Sequence, residues 1–391
     1  MKEMIAKCDE HLIQAYKRYP IAFDHGEGVY LFDVDGKRYL DFGGGIAVCA
    51  LGYSCEPFKE ALKAQIDKGT HFSNYFYSEQ MCKAAGNISR ISGMDKVFFC
   101  NSGSEANEGA LKLARKYAIV NGHGHRHEIV SMDKAFHGRS MGALSVTGTK
   151  RYREPFEPML GGVSFATYND LDSVKRLVND NTYAIIVEAL QGEGGIYPAK
   201  EEFIKGIRAL CDELDIMMIC DEVQCGMGRT GKMFAFEHYD IRPDIMTMAK
   251  GIGSGITVGA FAAPEHIANC MVPGDHGTTF GGNPLSMAAV NATVEQFEKQ
   301  NIIDHVIEVG NYLGERLDEL VAKTEIAVEA RGMGLMRGLE LSEPVAEYIA
   351  GALDEGLVLM AAGPNVIRFV PPLVIEKSHV DEMVDILGRV L

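Results

Sequence analysis

Short runs of apolar residues mark the predicted strands in the middle of this chain. They cover residues 96–100, 128–132, 183–187, 216–220 and 245–249. Runs that stay apolar at successive positions, and not only at every second one, are typical of strands buried on both faces of a parallel sheet. The segments between them are long enough for helices. The alternation of strands and helices between residues 60 and 275 therefore predicts an α/β fold.

The two ends of the chain have a different pattern. Near the start, a charged helix is followed by short strands at 28–33 and 38–42, which are joined through Asp35-Gly36. Toward the end, the pattern predicts one long polar helix at roughly 286–322, strands between 327 and 340, and an apolar strand within 365–372. We therefore expect residues 1–60 to contribute to a small domain, residues 61–275 to form a large domain, and residues 276–391 to form a C-terminal small domain.

Charge and composition narrow the class of ligand. The chain has 391 residues and a net charge of −16, which argues against nucleic acid and membrane surfaces, since both attract clustered Lys and Arg. Nine cysteines without metal-ligand spacing indicate a reducing compartment. The N-terminus lacks the apolar core of a signal peptide, and no apolar run approaches membrane-spanning length. We expect a cytoplasmic protein that binds small molecules, with the histidine-rich segment 123–127 as a surface loop that holds no metal.

Two charged residues follow buried strands. Asp221 ends the apolar run that begins at Ile216, and Lys250 ends the run that begins at Ile245. The carboxyl ends of parallel strands form the edge where open α/β sheets bind ligands, and a lysine in apolar surroundings is biased toward its neutral, nucleophilic form. For an isolated pair, however, a loop cap and a solvated strand end would be the simpler explanation.

The residues around this pair form a longer motif. The sequence Asp-Glu-Val-Gln-x-Gly-x-Gly-Arg-Thr-Gly at residues 221–231, followed by Ala-Lys-Gly at residues 249–251, resembles the signature of class III pyridoxal-phosphate-dependent aminotransferases. The similarity continues from about Tyr16 to the C-terminus. It implies an aspartate-aminotransferase-type fold (fold type I), in which a large domain with a mostly parallel sheet binds the cofactor beside a smaller α+β domain. It also implies that Lys250 carries the cofactor and that Asp221 pairs with the pyridine nitrogen.

Further cofactor contacts follow from the same resemblance. Residues 102–107, Ser-Gly-Ser-Glu-Ala-Asn, open a predicted helix, and the spacing of Ser102 and Glu105 is that of a capping box, which alone would explain the motif. In the family this motif binds the cofactor phosphate, so Gly103 and Ser104 are expected to do so here. The remaining cofactor contacts that the resemblance implies are Phe136 against the pyridine ring, Val223, Gln224, and Thr279 reaching the phosphate of the neighbouring subunit. The last contact implies a homodimer with shared active sites.

The resemblance also implies substrate contacts. Relatives bind a substrate carboxylate through the position of Arg139 and have a hydroxyl for the substrate at the position of Thr278. Glu193 and Arg368 match a pair in ornithine-type relatives, in which the glutamate neutralises the arginine for one substrate and swings away for the other. Without the resemblance, a loop arginine and two unrelated surface residues would explain these positions. The aromatic segment 74–77 is similar to a substrate-lining stretch, although core packing explains clustered aromatics equally well.

Within the family, residues 16–20, 136–139 and 362–372 look most like acetylornithine aminotransferases. The reaction expected from this resemblance moves the terminal amino group of N-acetylornithine to 2-oxoglutarate in a ping-pong cycle, in which the cofactor alternates between pyridoxal and pyridoxamine phosphate. It belongs to arginine biosynthesis. Ornithine, succinyl-diaminopimelate and 4-aminobutyrate remain alternative donors. A cofactor-binding protein that has lost catalysis is disfavoured, because both Lys250 and Asp221 are present.

Overall fold

The computed structural model describes residues 1–391. Its strands are β1 Phe23–Glu27, β2 Tyr30–Asp33, β3 Arg38–Asp41, β4 Lys96–Cys100, β5 Glu128–Met132, β6 Val163–Ala166, β7 Thr182–Val187, β8 Leu190–Gln191, β9 Tyr197–Pro198, β10 Met217–Asp221, β11 Ile245–Met248, β12 Gly259–Ala263, β13 Ala327–Met333, β14 Met336–Leu341, β15 Leu357–Val358, β16 Met360–Ala361 and β17 Val366–Phe369. Its helices are α1 Lys2–His11, α2 Gly44–Ala47, α3 Glu56–Lys68, α4 Glu79–Ser92, α5 Gly103–Val120, α6 Met141–Ser145, α7 Lys150–Arg153, α8 Leu171–Leu177, α9 Glu201–Leu214, α10 Glu265–Ala268, α11 Pro284–Lys299, α12 Ile302–Lys323, α13 Ala346–Asp354 and α14 Lys377–Val390. None of these helices is at once long enough and apolar enough to cross a membrane.

A seven-stranded sheet forms the centre of the molecule, with the strand order β4-β12-β11-β10-β7-β5-β6. All neighbouring pairs are parallel except those of β12, which runs antiparallel to both β11 and β4. The prediction of a mostly parallel sheet is confirmed. Because β10 and β11 are parallel neighbours, with Asp221 opposite Thr247, the residues that follow them emerge at the same edge.

Segments from both chain ends meet in a smaller sheet. Its order is β1-β2-β3-β15, and β15 pairs parallel with β3. A second small sheet has the order β13-β14-β17-β16. We propose from this pairing that residues 1–60 and 276–391 together form the small domain, beside a large domain of residues 61–275.

The prediction of one long polar helix at 286–322 was wrong. Two helices, α11 and α12, occupy this segment, and they separate at Asn301, whose φ of +48° is left-handed. Helix α11 is also largely buried, because it packs against α3 and α4. Asparagine tolerates the left-handed conformation better than most residues, so the chain can turn there without a glycine or a proline to signal the break.

Candidate active site

Eight of the residues predicted from sequence line one cleft at the edge of the large sheet. They are Gly103, Ser104, Phe136, Arg139, Asp221, Val223, Gln224 and Lys250. The cleft lies where β7, β10 and β11 end, so the sheet topology places the charged residues of three chain segments together. Lys250 is therefore not an isolated, solvated strand end, because it lines the same cleft as Asp221.

Lys250 has an unusual backbone and an enclosed amine. It follows β11 after one residue, and its φ of +47° lies in the left-handed region, which costs a residue with a side chain about 1–2 kcal/mol. Such strain is found mainly where a side chain must be aimed at a site. Burial lowers the pKa of Lys250, while the carboxylate of Glu193 partly opposes that shift. The lowered pKa increases the fraction of neutral amine, which is the form that attacks a carbonyl group.

The carboxylate of Asp221 is held by three hydrogen bonds. Its Oδ2 accepts from Nδ1 of His137 at 2.7 Å and from Nδ2 of Asn107 at 2.8 Å. Its Oδ1 accepts from the backbone N–H of Val223 at 3.0 Å. Burial alone would lower the pKa of His137, but its hydrogen bond to Asp221 and the negative charge of that group outweigh burial and raise it. These three bonds fix the position of the Asp221 side chain in the cleft.

The start of α5 provides the backbone donors expected for a phosphate. Ser102 Oγ accepts from the N–H of Glu105 at 3.2 Å, as capping-box spacing predicts, while the Glu105 carboxylate reaches the N–H of Asn101 at 2.8 Å. The first N–H groups of a helix have no intrahelical partner, and here they belong to Gly103 and Ser104. A Cβ at Gly103 would lie only 2.6 Å from the Val223 side chain, so glycine is needed for this close approach.

Glu193 and Arg368 form an ion pair beside Lys250. Nη1 of Arg368 donates to the carboxylate of Glu193 and, at 3.0 Å, to Oε1 of Gln224. Arg368 is only 2% exposed. Burial alone would raise the pKa of Glu193, but the charge and hydrogen bond of Arg368 prevail and lower it. The two residues are therefore not unrelated surface groups.

The other predicted substrate and interface residues are not buried. The guanidinium of Arg139 is exposed and stacks 3.7 Å from the ring centroid of Tyr152. Thr278 and Thr279 are not among the residues that line this chain's own cleft. The Thr278 hydroxyl is used within the chain, where it accepts from Asn101 Nδ2 at 3.1 Å and from the Gly281 N–H at 3.2 Å.

Sequence reasoning did not assign a site role to three residues with hydrogen-bonding side chains that line the cleft. Asn107 and His137 hold Asp221, and Glu188 follows β7 directly with its side chain in the cleft. Asn107 and His137 lie within residues 102–107 and 136–139, which resemble motifs of the family, so their position in the sequence could have indicated a role in the site. Nothing in the sequence indicated which groups the carboxylate of Glu188 contacts.

These side chains fit pyridoxal phosphate by their chemistry. Free N–H groups at a helix start suit a phosphate, a fixed aspartate suits a protonated pyridine nitrogen, and an amine with a lowered pKa suits an aldehyde. The glycine at residue 103 lets the Val223 side chain pack closely against this helix start.

The fold and the site together define a pyridoxal-phosphate-dependent enzyme of fold type I. The family model described as Aminotransferase class-III matches residues 13–391, and the chain belongs to this family. It is 44% identical to the acetylornithine aminotransferase of Methanocaldococcus jannaschii, over 97% of this chain and 95% of the relative. It is also 44% identical to the acetylornithine aminotransferase of Caldanaerobacter subterraneus subsp. tengcongensis, over 99% of both. Among solved structures, the ornithine aminotransferase of Toxoplasma gondii is 27% identical and has a TM-score of 0.95, over 100% of this chain and 94% of that one.

Proposed function

We propose that this aminotransferase moves the terminal amino group of N-acetylornithine to 2-oxoglutarate, as a step of arginine biosynthesis in the cytoplasm. The Glu193–Arg368 ion pair carries the proposal, because it suits an enzyme whose two substrates differ beside the reacting amine. The names of relatives that are 44% identical over nearly the whole chain support the acetylated donor. Ornithine, succinyl-diaminopimelate and 4-aminobutyrate are the competing donors.

Five residues of the cleft have a task in the proposed reaction. When bound, pyridoxal phosphate takes over the donor's amino group and stabilises the electron pair of the broken C–H bond. Gly103 and Ser104 would hold its phosphate, and Asp221 would keep a proton on its ring nitrogen. Phe136 would pack against its ring. Lys250 then accepts the donor's proton at Nζ and returns it, which requires the neutral amine that its lowered pKa favours.

The ion pair suits a site that must accept two substrates with different groups beside the reacting amine. The reacting amine of N-acetylornithine has no adjacent carboxylate, whereas that of glutamate has one. A buried arginine that waits for glutamate would be an uncompensated charge in the first half-reaction, and such a charge is costly. Glu193 neutralises Arg368 in the structure. We propose that Glu193 swings away when the carboxylate of glutamate replaces it, and that Arg139 binds the distant carboxylate of the donor.

We also propose that two copies form a homodimer with shared active sites. Thr279, the expected phosphate contact of the neighbouring subunit, is exposed and lies outside its own chain's cleft. Beside it, the three aromatic side chains of segment 75–77 are 70–94% exposed, so core packing does not explain them. Asn74 ties this segment to the loop that carries Thr279, through bonds of 3.1 and 2.8 Å to backbone carbonyl groups. Clustered exposed aromatics are typical of protein interfaces.

A panel of donors tests the substrate. N-acetylornithine, ornithine, succinyl-diaminopimelate and 4-aminobutyrate are each assayed for kcat/KM with 2-oxoglutarate. N-acetylornithine is expected to react best, and a higher value for ornithine or 4-aminobutyrate would reassign the enzyme within the family.

Separate half-reactions of the Glu193→Ala variant test the switch. The step with N-acetylornithine is expected to slow, because Arg368 loses the group that neutralises it, while the step with glutamate holds or becomes faster. Glu340→Ala is a matched control, since Glu340 pairs with Arg331 at 2.5 Å outside the cleft. Equal slowing of both steps in Glu193→Ala would remove the switch from the mechanism.

A further inference from the structure

The carboxylate of Glu188 bridges two loops of the cleft. Glu188 follows β7, is 6% exposed and lines the cleft. Its Oε1 accepts from the backbone N–H of Phe136 at 2.9 Å, and its Oε2 accepts from the backbone N–H of Gly192 at 3.0 Å. One side chain therefore connects the loop that carries Phe136 to the loop that carries Glu193.

An ionised carboxylate suits this place better than an amide would. Both of its oxygens are acceptors, so it can satisfy two N–H groups at once, whereas a glutamine offers one acceptor and one donor. Burial raises the pKa of Glu188 to about 7, and the charge of His137 and the two N–H donors limit the rise. A buried carboxylate is retained against this cost only where its hydrogen bonds compensate it.

The bridged loop sets the position of the ion pair. A Cβ at Gly192 would lie 2.5 Å from Oε1 of Gln224, and that oxygen accepts from Arg368. The backbone at Gly192 is therefore packed directly against a partner of Arg368, one residue before Glu193. A shift of this backbone would move the Glu193 carboxylate relative to the guanidinium.

We infer that Glu188 is a positioning residue that fixes the loop of the Glu193–Arg368 pair relative to the loop of Phe136, and so favours the closed pair. The inference rests on the switch proposed above. The side-chain amide of Gln191 also connects these loops, by donating to the Asp133 carbonyl group at 2.8 Å. Loss of the Glu188 bridge should therefore loosen the loops without separating them.

Glu188→Gln tests this role, and the chain offers a matched control. Glu222 is also buried and accepts from two backbone N–H groups, those of Ala235 at 2.8 Å and Phe236 at 2.9 Å, and burial raises its pKa to about 7 as well. Glu222 does not line the cleft. Both variants are measured as cofactor-loaded enzyme in single turnovers with N-acetylornithine and with glutamate, so that the ratio of the two rates does not depend on the active fraction.

In Glu188→Gln, the N-acetylornithine step is expected to slow about three- to tenfold relative to the glutamate step, which is the effect of one lost hydrogen bond. The Glu222→Gln variant should keep the wild-type ratio. Hydrogen exchange gives a second readout: the segments around Phe136 and Gly192 should exchange faster in Glu188→Gln only. An unchanged ratio together with unchanged exchange would overturn the inference.

Further variants distinguish a failure of the proposed switch from a failure of the inference about Glu188. If Glu193→Ala slows both half-reactions equally, the proposed switch is wrong, and hydrogen exchange still decides whether Glu188 holds both loops. Glu188→Asp keeps the charge but shortens the side chain, and should change the ratio in the same direction. If neither Glu188 variant folds while Glu222→Gln does, Glu188 is needed for the fold itself and the inference is overturned.

Discussion

Replacement of His137 by phenylalanine is expected to slow turnover about 10- to 150-fold, although His137 does not itself act on the substrate. Its Nδ1 is one of two side-chain donors to Oδ2 of Asp221, at 2.7 Å, and Asn107 is the other. A hydrogen bond to a charged group contributes about 1.5–3 kcal/mol, which corresponds to a factor of about 10–150 in rate if it acts in the transition state. Phenylalanine keeps the bulk in a position that is only 2% exposed.

His137→Asn is the matched control, because its amide nitrogen can donate from close to the position of Nδ1. We expect it to stay within about fivefold of the wild type, since the donor is retained. Both half-reactions are measured in single turnovers at saturating pyridoxal phosphate, together with thermal unfolding. A phenylalanine variant within about threefold of the wild type, or an asparagine variant as slow as the phenylalanine variant, would refute the argument that this hydrogen bond orients Asp221.

Four other outcomes are expected. Lys250→Ala should lose turnover yet remain a folded dimer that holds pyridoxal phosphate non-covalently, and retained transamination would contradict its role. Asp221→Ala should slow catalysis by several powers of ten and weaken cofactor binding less; a loss below about tenfold would exclude the proposed role. Mixing Lys250→Ala with Thr279→Ala subunits should restore about a quarter of wild-type activity if active sites are shared, because half of the dimers are mixed and each has one intact site; no gain on mixing would argue against shared sites. Burial raises the pKa of Glu222 from 4.5 to about 7. Between these pH values the folded protein keeps a proton that the unfolded chain loses. The free energy of unfolding therefore falls as the pH rises through this window. The decrease in unfolding temperature from about pH 5 to about pH 8 should be smaller in Glu222→Gln, and an equal decrease would show that Glu222 is not its cause.

Local patterns predicted the strands well. Residues 96–100 and 128–132 are strands with the predicted bounds. A short apolar run that is bounded by polar residues is compatible with few structures other than a buried strand. The direction of β12 was not predictable in this way, since an apolar run looks the same in a parallel and in an antiparallel pair. The break at Asn301 was missed because both sides of it have helical character.

The site was predictable as far as its chemistry depends on single residue types. Lys250 and Asp221 attracted attention because both follow buried strands, but their expected roles came from the motif around them, which resembles the class III signature. The bridge made by Glu188 was not, since its two donors are backbone N–H groups, which leave no trace in the sequence. The strained backbone at Lys250 was hidden for the same reason: a left-handed φ in a lysine is imposed by the surrounding structure.

The proposed phosphate cradle contains no lysine or arginine among residues 102–107. A lysine or arginine there would compete with Arg368 for the carboxylates of the cleft. Arg368 adds no net positive charge, because Glu193 is paired with it. The N–H groups of Gly103 and Ser104 can bind a phosphate through partial charges that are spread over a helix end, and a fixed dipole does not titrate. The cradle can therefore hold a dianion close to a reactive amine without making the proton affinity of that amine depend on a second titrating cation.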